Sequence, residues 1–290
     1  MIGALIVNGY VHSNKFITFY DFIIKTFNAG NIQLDLVKNT DIPVNINRNP
    51  FNKEYDFILF FDKDVTLATH LEKLGYRVFN SSNAINICDD KALTNIELST
   101  NNKIKMPKTF INPFSYERNF VAYEEIIKEF KVPFILKERK GSFGEQVYLV
   151  YSSSDYHKII SSATSNILIQ EYIGDHYHED YRVYVVNHKV ICSFKRIGKD
   201  GDFRANVTLG GHMELCKIKQ NMIDMAIEVS KTLNLDFGGL DFVLDKDNNP
   251  IFLEANSNAH FLNAYNVSNI NIASYIAKYI KDAIKKEKNH

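Results

Sequence analysis

The 290-residue chain is predicted to be a mixed α/β (α+β) protein, and three observations carry that prediction. Apolar strand-like runs alternate with helical stretches over residues 1–80, the pattern of a small open α/β domain. Further along, apolar runs come in pairs joined by turn-forming residues, the pattern of antiparallel hairpins. In the last of these pairs, Gly239–Asn256, the residues Asp241, Glu254 and Asn256 interrupt otherwise apolar strands around a turn rich in Asp and Asn.

Taken in order, Ile2–Val7 reads as a buried strand. Phe16, Phe19, Tyr20, Ile23 and Phe27 recur near helical spacing across Asn14–Asn28, and Gly30 is the stop. Ile32–Val37 and Phe57–Phe61 are further strands. Leu67–Leu74 is a helix ended by Gly75, and Tyr76–Phe79 is a short fourth strand. This part lacks a G-x-G-x-x-G turn, which argues against a dinucleotide site in it. Ser81–Leu98 is a helical connector carrying Cys88-Asp89-Asp90-Lys91. A strand near Thr109, a helix over Tyr123–Phe130 and strand Phe134–Lys137 follow, then the glycine loop Lys140–Gly144, strand Gln146–Val150 and a helix near Asp155–Ser162. The last segment opens with strand Ile167–Ile173. It continues with a hairpin, Tyr181–Val186 and Val190–Lys195, turned at Asn187-His188. The loop Gly201–Gly211, a helix over Gln220–Leu233, the closing hairpin and a final helix Ile272–Lys285 complete the chain. The expected domains are 1–88, 89–168 and 169–290.

Composition narrows the function classes. Lys plus Arg and Asp plus Glu balance at 34 each, so nothing draws the chain to polyanions in general and nucleic acid is not an expected partner. Three scattered cysteines, Cys88, Cys192 and Cys216, fit reduced thiols in a cytoplasmic protein. Ile2–Val7 is too short and lacks the charged flank of a signal peptide. No run approaches the ~20 apolar residues of a membrane span, so no membrane partner is expected. A homo-oligomer is compatible with the sequence.

The closing hairpin carries the sharpest chemistry. A carboxylate in a buried strand is costly unless something pairs with it. Three oxygen side chains on two adjacent strands point to a hard divalent cation. Mg2+ takes one or two protein carboxylates and completes its shell with water and phosphate oxygens, so a magnesium–nucleotide site is the first expectation. Lys137, ending an apolar strand beside Lys140–Gly144, would place an ammonium and backbone N–H groups on phosphate oxygens; an edge hairpin with a solvated lysine fits the same stretch. Gln170-Glu171-Tyr172-Ile173 reads as a strand emerging into a linker, either a core strand or a backbone edge for a purine. Asp180, in a polar stretch, suits ribose hydroxyls or plain solvent. Lys195-Arg196 and Arg204 suit phosphate, carboxylate or an acyl phosphate, and equally a basic surface loop. His176 and His178 have no further ligand at zinc spacing. His260 suits a packed residue better than a base. No G-x-S-x-G or embedded catalytic cysteine provides a nucleophile.

The order of these pieces is more specific than any one of them. Lys91, then Lys137 with Lys140-Gly141-Ser142-Phe143-Gly144, then Gln170-Glu171-Tyr172-Ile173, then Gly201-Asp202-Phe203-Arg204-Ala205-Asn206 with Gly210-Gly211, then Asp241, Glu254 and Asn256, resembles the ATP-grasp superfamily. Within it the chain looks like the RimK-like amino-acid ligases, relatives of glutathione synthetase, from about Asp89 to Asn256. The resemblance implies an ATP-grasp fold: an N-terminal pre-ATP-grasp α/β domain, a small central lid domain and a C-terminal antiparallel-sheet domain. It implies that Lys91 and Lys137 contact the nucleotide phosphates, that the loop Gly141–Gly144 closes as a lid, and that Ser142, Phe143 and Gly144 bind the nucleotide. Glu171, Tyr172 and Ile173 would read adenine, and Asp180 would hold ribose. Arg204 and Asn206 would bind the phosphate or acyl-phosphate region, with Arg204 and Arg196 as the catalytic cations. Arg182, Arg196, Ser257 and Asn258 would meet substrate. Asp241, Glu254 and Asn256 would hold two Mg2+ (or Mn2+) ions, Glu254 bridging them. The implied activity is ATP-dependent carboxylate–amine ligation through an acyl phosphate, joining an amino acid such as L-glutamate to a peptide or small-molecule acceptor. A precursor-peptide-modifying ligase is the alternative, and a non-catalytic nucleotide-binding protein a weaker one. One departure stands out: many relatives carry a Ser-Pro-Gly type turn where this chain has Ser257-Asn258-Ala259-His260, which bears on the acceptor substrate.

Overall fold

A computed structural model describes residues 1–46, 48–141, 144–199, 203–205 and 210–288. Ser142, Phe143 and Asn206 lie outside the described residues, as do Gly201 and Asp202.

Strands β1 (Ile2–Val7), β2 (Gln33–Lys38), β3 (Phe57–Phe61) and β4 (Val78–Phe79) form a parallel sheet in the order β2-β1-β3-β4. Helix α1 (Asn14–Ala29) connects β1 to β2, and α2 (Val65–Lys73) connects β3 to β4. Parallel neighbours need such crossovers. All five β3 residues, Phe57–Phe61, are buried, as in a strand covered on both faces. Leu5, Leu59 and Phe61 face α1, while Ala4, Ile6, Ile58 and Phe60 face α2, which is strand alternation made visible.

Local chemistry moves several expected boundaries. Helix α2 begins two residues early because the Asp64 carboxylate caps it, accepting from the Leu67 N–H at 2.9 Å. At its end Tyr76 N–H returns to the Leu71 carbonyl around Gly75, whose φ is +92°, so Tyr76 belongs to a helix-ending turn and β4 is short. The connector is two helices, α3 (Ser82–Asp89) and α4 (Lys91–Leu98). Asp90 breaks it: its side chain accepts from Ala92 and Leu93 N–H groups and pairs with Arg139 at 2.6 Å.

The central sheet contains β5 (Thr109–Ile111), β6 (Phe134–Glu138), β7 (Val147–Val150) and β8 (Ile167–Glu171), in the order β5-β8-β6-β7, all pairs antiparallel. Helices α5 (Tyr123–Glu129) and α6 (Ser153–Ser162) pack on it through Ile126, Phe130 and Tyr156. Strand β8 pairs with β6 over its full length, so this sheet runs past the expected division at residue 168.

The third sheet is antiparallel, in the order β11-β10-β9-β12-β13: β9 (Glu179–Val186), β10 (Lys189–Ile197), β11 (His212–Leu215), β12 (Phe237–Leu244) and β13 (Pro250–Asn256). Asn187 and His188 both have positive φ, the two-residue turn whose twist suits a hairpin. Helix α7 (Gln220–Thr232) covers one face over Val183, Val185, Leu240 and Phe242. The other face, with Tyr184, Val186 and Phe194, shares a core with the N-terminal sheet, α1 and α9 (Ile272–Lys288). Strand β11 and helix α8 (Leu262–Ser268) were not expected from the sequence; β11 is mostly exposed and α8 is only seven residues, so neither shows a clear apolar period. No helix among the described residues is long and apolar enough to cross a membrane.

Asn80, fully buried after β4, ties the first sheet to the third. Its amide donates to the Phe237 and Ser257 carbonyls at 2.9 and 2.8 Å, and its oxygen accepts from the Asp236 and Phe237 N–H groups. Four backbone groups at the root of the β12–β13 hairpin are thereby fixed by one side chain.

Candidate active site

The three sheets surround a cavity of about 480 Å³. Its floor is the β12–β13 hairpin. Register sets Asp241 directly opposite Glu254, with a bulge after Asp241, and Glu254 and Asn256, two apart on one strand, share a face. The Asn256 amide donates to Glu254 Oε1 at 3.0 Å. All three line the cavity.

Asp241 is embedded in a network of buried charge. Arg182 bonds it with both Nε and Nη2, the latter at 2.7 Å. Arg196 forks onto Asp180 at 2.5 and 2.6 Å and reaches Asp241 at 3.1 Å. The sheet dictates these partners, because Asp180 is the register neighbour of Arg196 and Arg182 that of Asp241. Burial pushes Asp241 up, but Arg182 and Arg196 outweigh it and hold its carboxyl below the usual range. Burial pulls Arg196 down, and Asp180 and Asp241 more than restore it, so its pKa lies above the ordinary value. Asp180 is therefore a half-buried strand acid, not a loop acid, and its fork is filled by Arg196. The same contacts engage Arg182 and Arg196, which the sequence placed at a substrate carboxylate.

The opposite wall carries Lys137 at the end of β6. It is buried, and burial pulls its pKa down to about 8 against the attraction of Glu254. Lys91, brought round by the Asp90 break, donates to the Gly141 carbonyl at 3.3 Å and lies behind the glycine loop. Arg204 bonds the Gly144 carbonyl at 2.7 Å. Glu171, Tyr172 and Ile173 line the cavity where β8 ends; the Glu171 N–H is already taken by the Lys108 carbonyl. Phe203 stands edge-on to Tyr172, centroids 6.4 Å apart.

Beyond the hairpin, Asn258 lines the cavity, whereas Ser257 is buried with its carbonyl on Asn80; the expectation that Ser257 faces substrate is corrected by that anchor. His260 stacks on Phe19 at 4.1 Å, and burial lowers its pKa to about 4, as for a packed histidine. His176 lies 4.0 Å from Glu179, and among the described residues no three His, Cys, Asp or Glu side chains gather at metal-binding distance.

The N-terminal sheet also supplies a wall, which the sequence reading missed. Asn8, Lys15, Tyr20, Asp62 and Lys63 line the same cavity. Asn8 follows β1 and Asp62 follows β3, at the carboxyl ends of parallel strands. Ligands of open α/β sheets bind at those ends, and that rule was the available signal.

Two sheets closing over a cavity, with the strand-end lysine on one and the acid–amide hairpin on the other, define an ATP-grasp fold. The chain belongs to the RimK-like ATP-grasp family, whose domain matches residues 88–280. It is 36% identical over 234 residues to the uncharacterized protein MG012 homolog of Mycoplasma pneumoniae, covering 79% of this chain and 81% of that one. It is 31% identical over 220 residues to a probable alpha-L-glutamate ligase of Legionella pneumophila, covering 74% and 70%. Among solved structures it is similar to the ATP-grasp ligase PsnB complexed with a variant of its minimal precursor, Mg and ADP, at a TM-score of 0.73 and 16% identity, covering 97% and 98%. That last likeness concerns the fold alone.

Proposed function

We propose that the chain is an ATP-dependent carboxylate–amine ligase that forms an amide through an acyl phosphate, with L-glutamate as the amino acid it adds to a peptide or small-molecule acceptor. The observation that carries this reading is the convergence in one cavity of Lys137, the Asp241–Glu254–Asn256 set and the residues leaving β8. Two carboxylates and an amide oxygen suit a hard cation that takes its remaining oxygens from phosphate. In this reading Asp241, Glu254 and Asn256 hold two Mg2+ (or Mn2+) ions, which when bound neutralise phosphate charge.

The protein's own part is positioning and electrostatics, which phosphoryl transfer chiefly requires. Lys137 meets the phosphates from the central sheet. Its lowered pKa reflects a desolvated ammonium, and a phosphate would return the missing counter-charge. Lys91 supports the glycine loop from behind, a role better matched to its bond with Gly141 than direct phosphate contact. Tyr172 and Ile173 present the strand edge to adenine, with Glu171 beside them. Arg204, anchored on Gly144, stands at the phosphoryl region, where excluding water would protect an acyl phosphate. Arg182 and Arg196 fix the Asp241 carboxylate, with Asp180 orienting Arg196 rather than holding ribose. We place the division between the central and C-terminal domains after Glu171.

The L-glutamate assignment is supported by similarity to the Legionella protein. A precursor-peptide ligase has only fold likeness behind it, and a non-catalytic role fits poorly with both Lys137 and Glu254 in place. The test is ADP release from Mg-ATP by the full chain with L-glutamate and a panel of carboxylate acceptors. An acceptor that stimulates release above background is expected; no stimulation with any acceptor would sink the reading.

A further inference from the structure

The wall formed by the N-terminal sheet holds a carboxylate that the ligase chemistry above leaves unused. Asp62 is 5% exposed and lines the cavity. Its Oδ1 accepts from the Asn8 amide at 3.2 Å and from the Lys63 backbone N–H at 2.7 Å, and its Oδ2 accepts from the Asn39 amide at 2.7 Å. Each donor is neutral. The Lys63 ammonium turns instead to Asp89. Burial raises the pKa of Asp62, and the nearby acids Asp64 and Asp89 push it the same way.

The seat is rigid. Asn8 is held because its oxygen accepts from the Tyr10 N–H at 2.9 Å, and Asn39 because its oxygen accepts from the Gly9 N–H at 2.8 Å. The loops after β1, β2 and β3 thus converge on one carboxylate. A carboxylate offers about four lone-pair positions. Three are filled, two on Oδ1 and one on Oδ2, which leaves one acceptor position on Oδ2. Tyr20, in the same wall, has its hydroxyl pushed up to about 12 by burial and by Asp62, so it stays neutral and adds no counter-charge.

A buried carboxylate with three neutral donors has one hydrogen-bond position open and its charge unmet. A hard metal ion is a poor complement, because Mg2+ or Ca2+ needs several oxygen ligands and the groups bonded to Asp62 present N–H to it. A single N–H donor carrying positive charge supplies both the missing bond and the missing charge, and charge-assisted bonds are the strong ones.

We propose that Asp62 anchors the ammonium group of an amino-acid substrate, which makes the N-terminal sheet the reader of the amine-bearing partner. This rests on the ligase reading for the position of the nucleotide. The same contacts would also serve to tie three loops together, and the experiment separates the two roles.

Binding is measured by calorimetry on the full chain saturated with Mg-ADP, using each of the twenty amino acids and its des-amino counterpart (for example L-glutamate against glutarate). At least one amino acid should bind about tenfold or more tightly than its des-amino partner, the loss expected for one charge-assisted hydrogen bond. In Asp62→Asn that preference should fall below about twofold, with Mg-ADP affinity unchanged within about twofold. Asn39→Ala removes a neutral donor from Oδ2 and keeps the charge, so it should retain the preference; it also serves if Asp62→Asn does not fold. Mg-ADP binding without any amine preference in the wild type overturns the proposal alone. Retention of the preference in Asp62→Asn, or its loss in Asn39→Ala, also overturns it. A wild-type chain that binds no Mg-ADP removes the ligase reading and this proposal with it.

Discussion

On the wall built by β9, β10 and β12, Asp180 and Asp241 each face a guanidinium, Arg196 and Arg182, with Arg196 reaching both acids. On the wall built by the N-terminal sheet, Asp62 is as deeply buried, 5% exposed against 7% for Asp241, yet its bonds come from two amides and a backbone N–H. Both acids accept several hydrogen bonds, but only the first wall also balances its charge. A balanced wall holds Asp241 in place beside Glu254 whether or not anything fills the cavity. An unbalanced one waits for a cation. The difference separates an acid held by cations from one held by neutral donors more clearly than burial does.

The largest effect should come from breaking the balanced wall. Arg196→Met leaves Asp180 without its fork and Asp241 with one cation instead of two. Removing one partner of a buried pair costs about 3–5 kcal/mol, which urea unfolding would read directly. A loss below about 1 kcal/mol would place this network with surface ion pairs and erase the contrast with Asp62. Next, Glu254→Gln should lower kcat by about 10²–10³, corresponding to several kcal/mol of transition-state charge stabilisation. Its unfolding midpoint should stay near the wild-type value, because Glu254 is only half-buried and takes a single side-chain bond, from Asn256. Unchanged turnover would remove the hairpin from the chemistry.

How legible each wall was follows from the same physics. The hairpin announced itself because Asp241 and Glu254 break apolar strands, and a charge within such a run is conspicuous in a sequence. The lysine of β6 and the residues ending β8 were found for a similar reason, each closing an apolar run. The parallel N-terminal sheet was legible as four strands with crossover helices, apart from caps such as Asp64 that shift helix ends by a turn or less. Asp62 gave no such signal. It follows Phe57–Phe61 where a strand ends in any case, and its meaning depends on Asn8 and Asn39, which are distant in sequence and meet it only in the folded sheet. The Arg196 fork on Asp180 was not legible because Arg196 lies across a hairpin, and pairing across strands is a matter of register. The burial of Ser257 was not legible because Asn80, which holds its carbonyl, comes from the N-terminal sheet.

The seam between the two walls should respond to pH. His260 lies in that seam, stacked on Phe19, and burial lowers its pKa from 6.5 to about 4. The folded state therefore binds its proton later than the unfolded chain does. The stability this contributes is fully present above pH 6.5 and is lost as pH falls through about 4, up to about 3 kcal/mol at one pKa unit per 1.4 kcal/mol. His260→Gln should flatten the pH dependence of unfolding free energy between those limits, measured against wild type. An identical slope in both proteins would show that His260 titrates normally and that the seam is wet.

The smallest effect concerns Asp236, a buried acid of an intermediate kind. Its Oδ1 accepts from the Tyr279 hydroxyl at 2.6 Å and pairs with Arg77 at 3.1 Å. It thus has a cation, as Asp241 does, and a neutral donor, as Asp62 does. The Arg77 side chain is 36% exposed, so solvent screens its charge and the pair alone should be worth under about 1 kcal/mol. The shielded Tyr279 bond should be worth more, about 1.5–2 kcal/mol for a hydrogen bond to a charged group. Tyr279→Phe should therefore destabilise the chain more than Arg77→Met, with turnover unaffected in both, since neither residue lines the cavity. If the order is reversed, charge governs buried acids here even through a half-exposed partner, and Asp62 would then be held under greater electrostatic stress than its neutral donors imply.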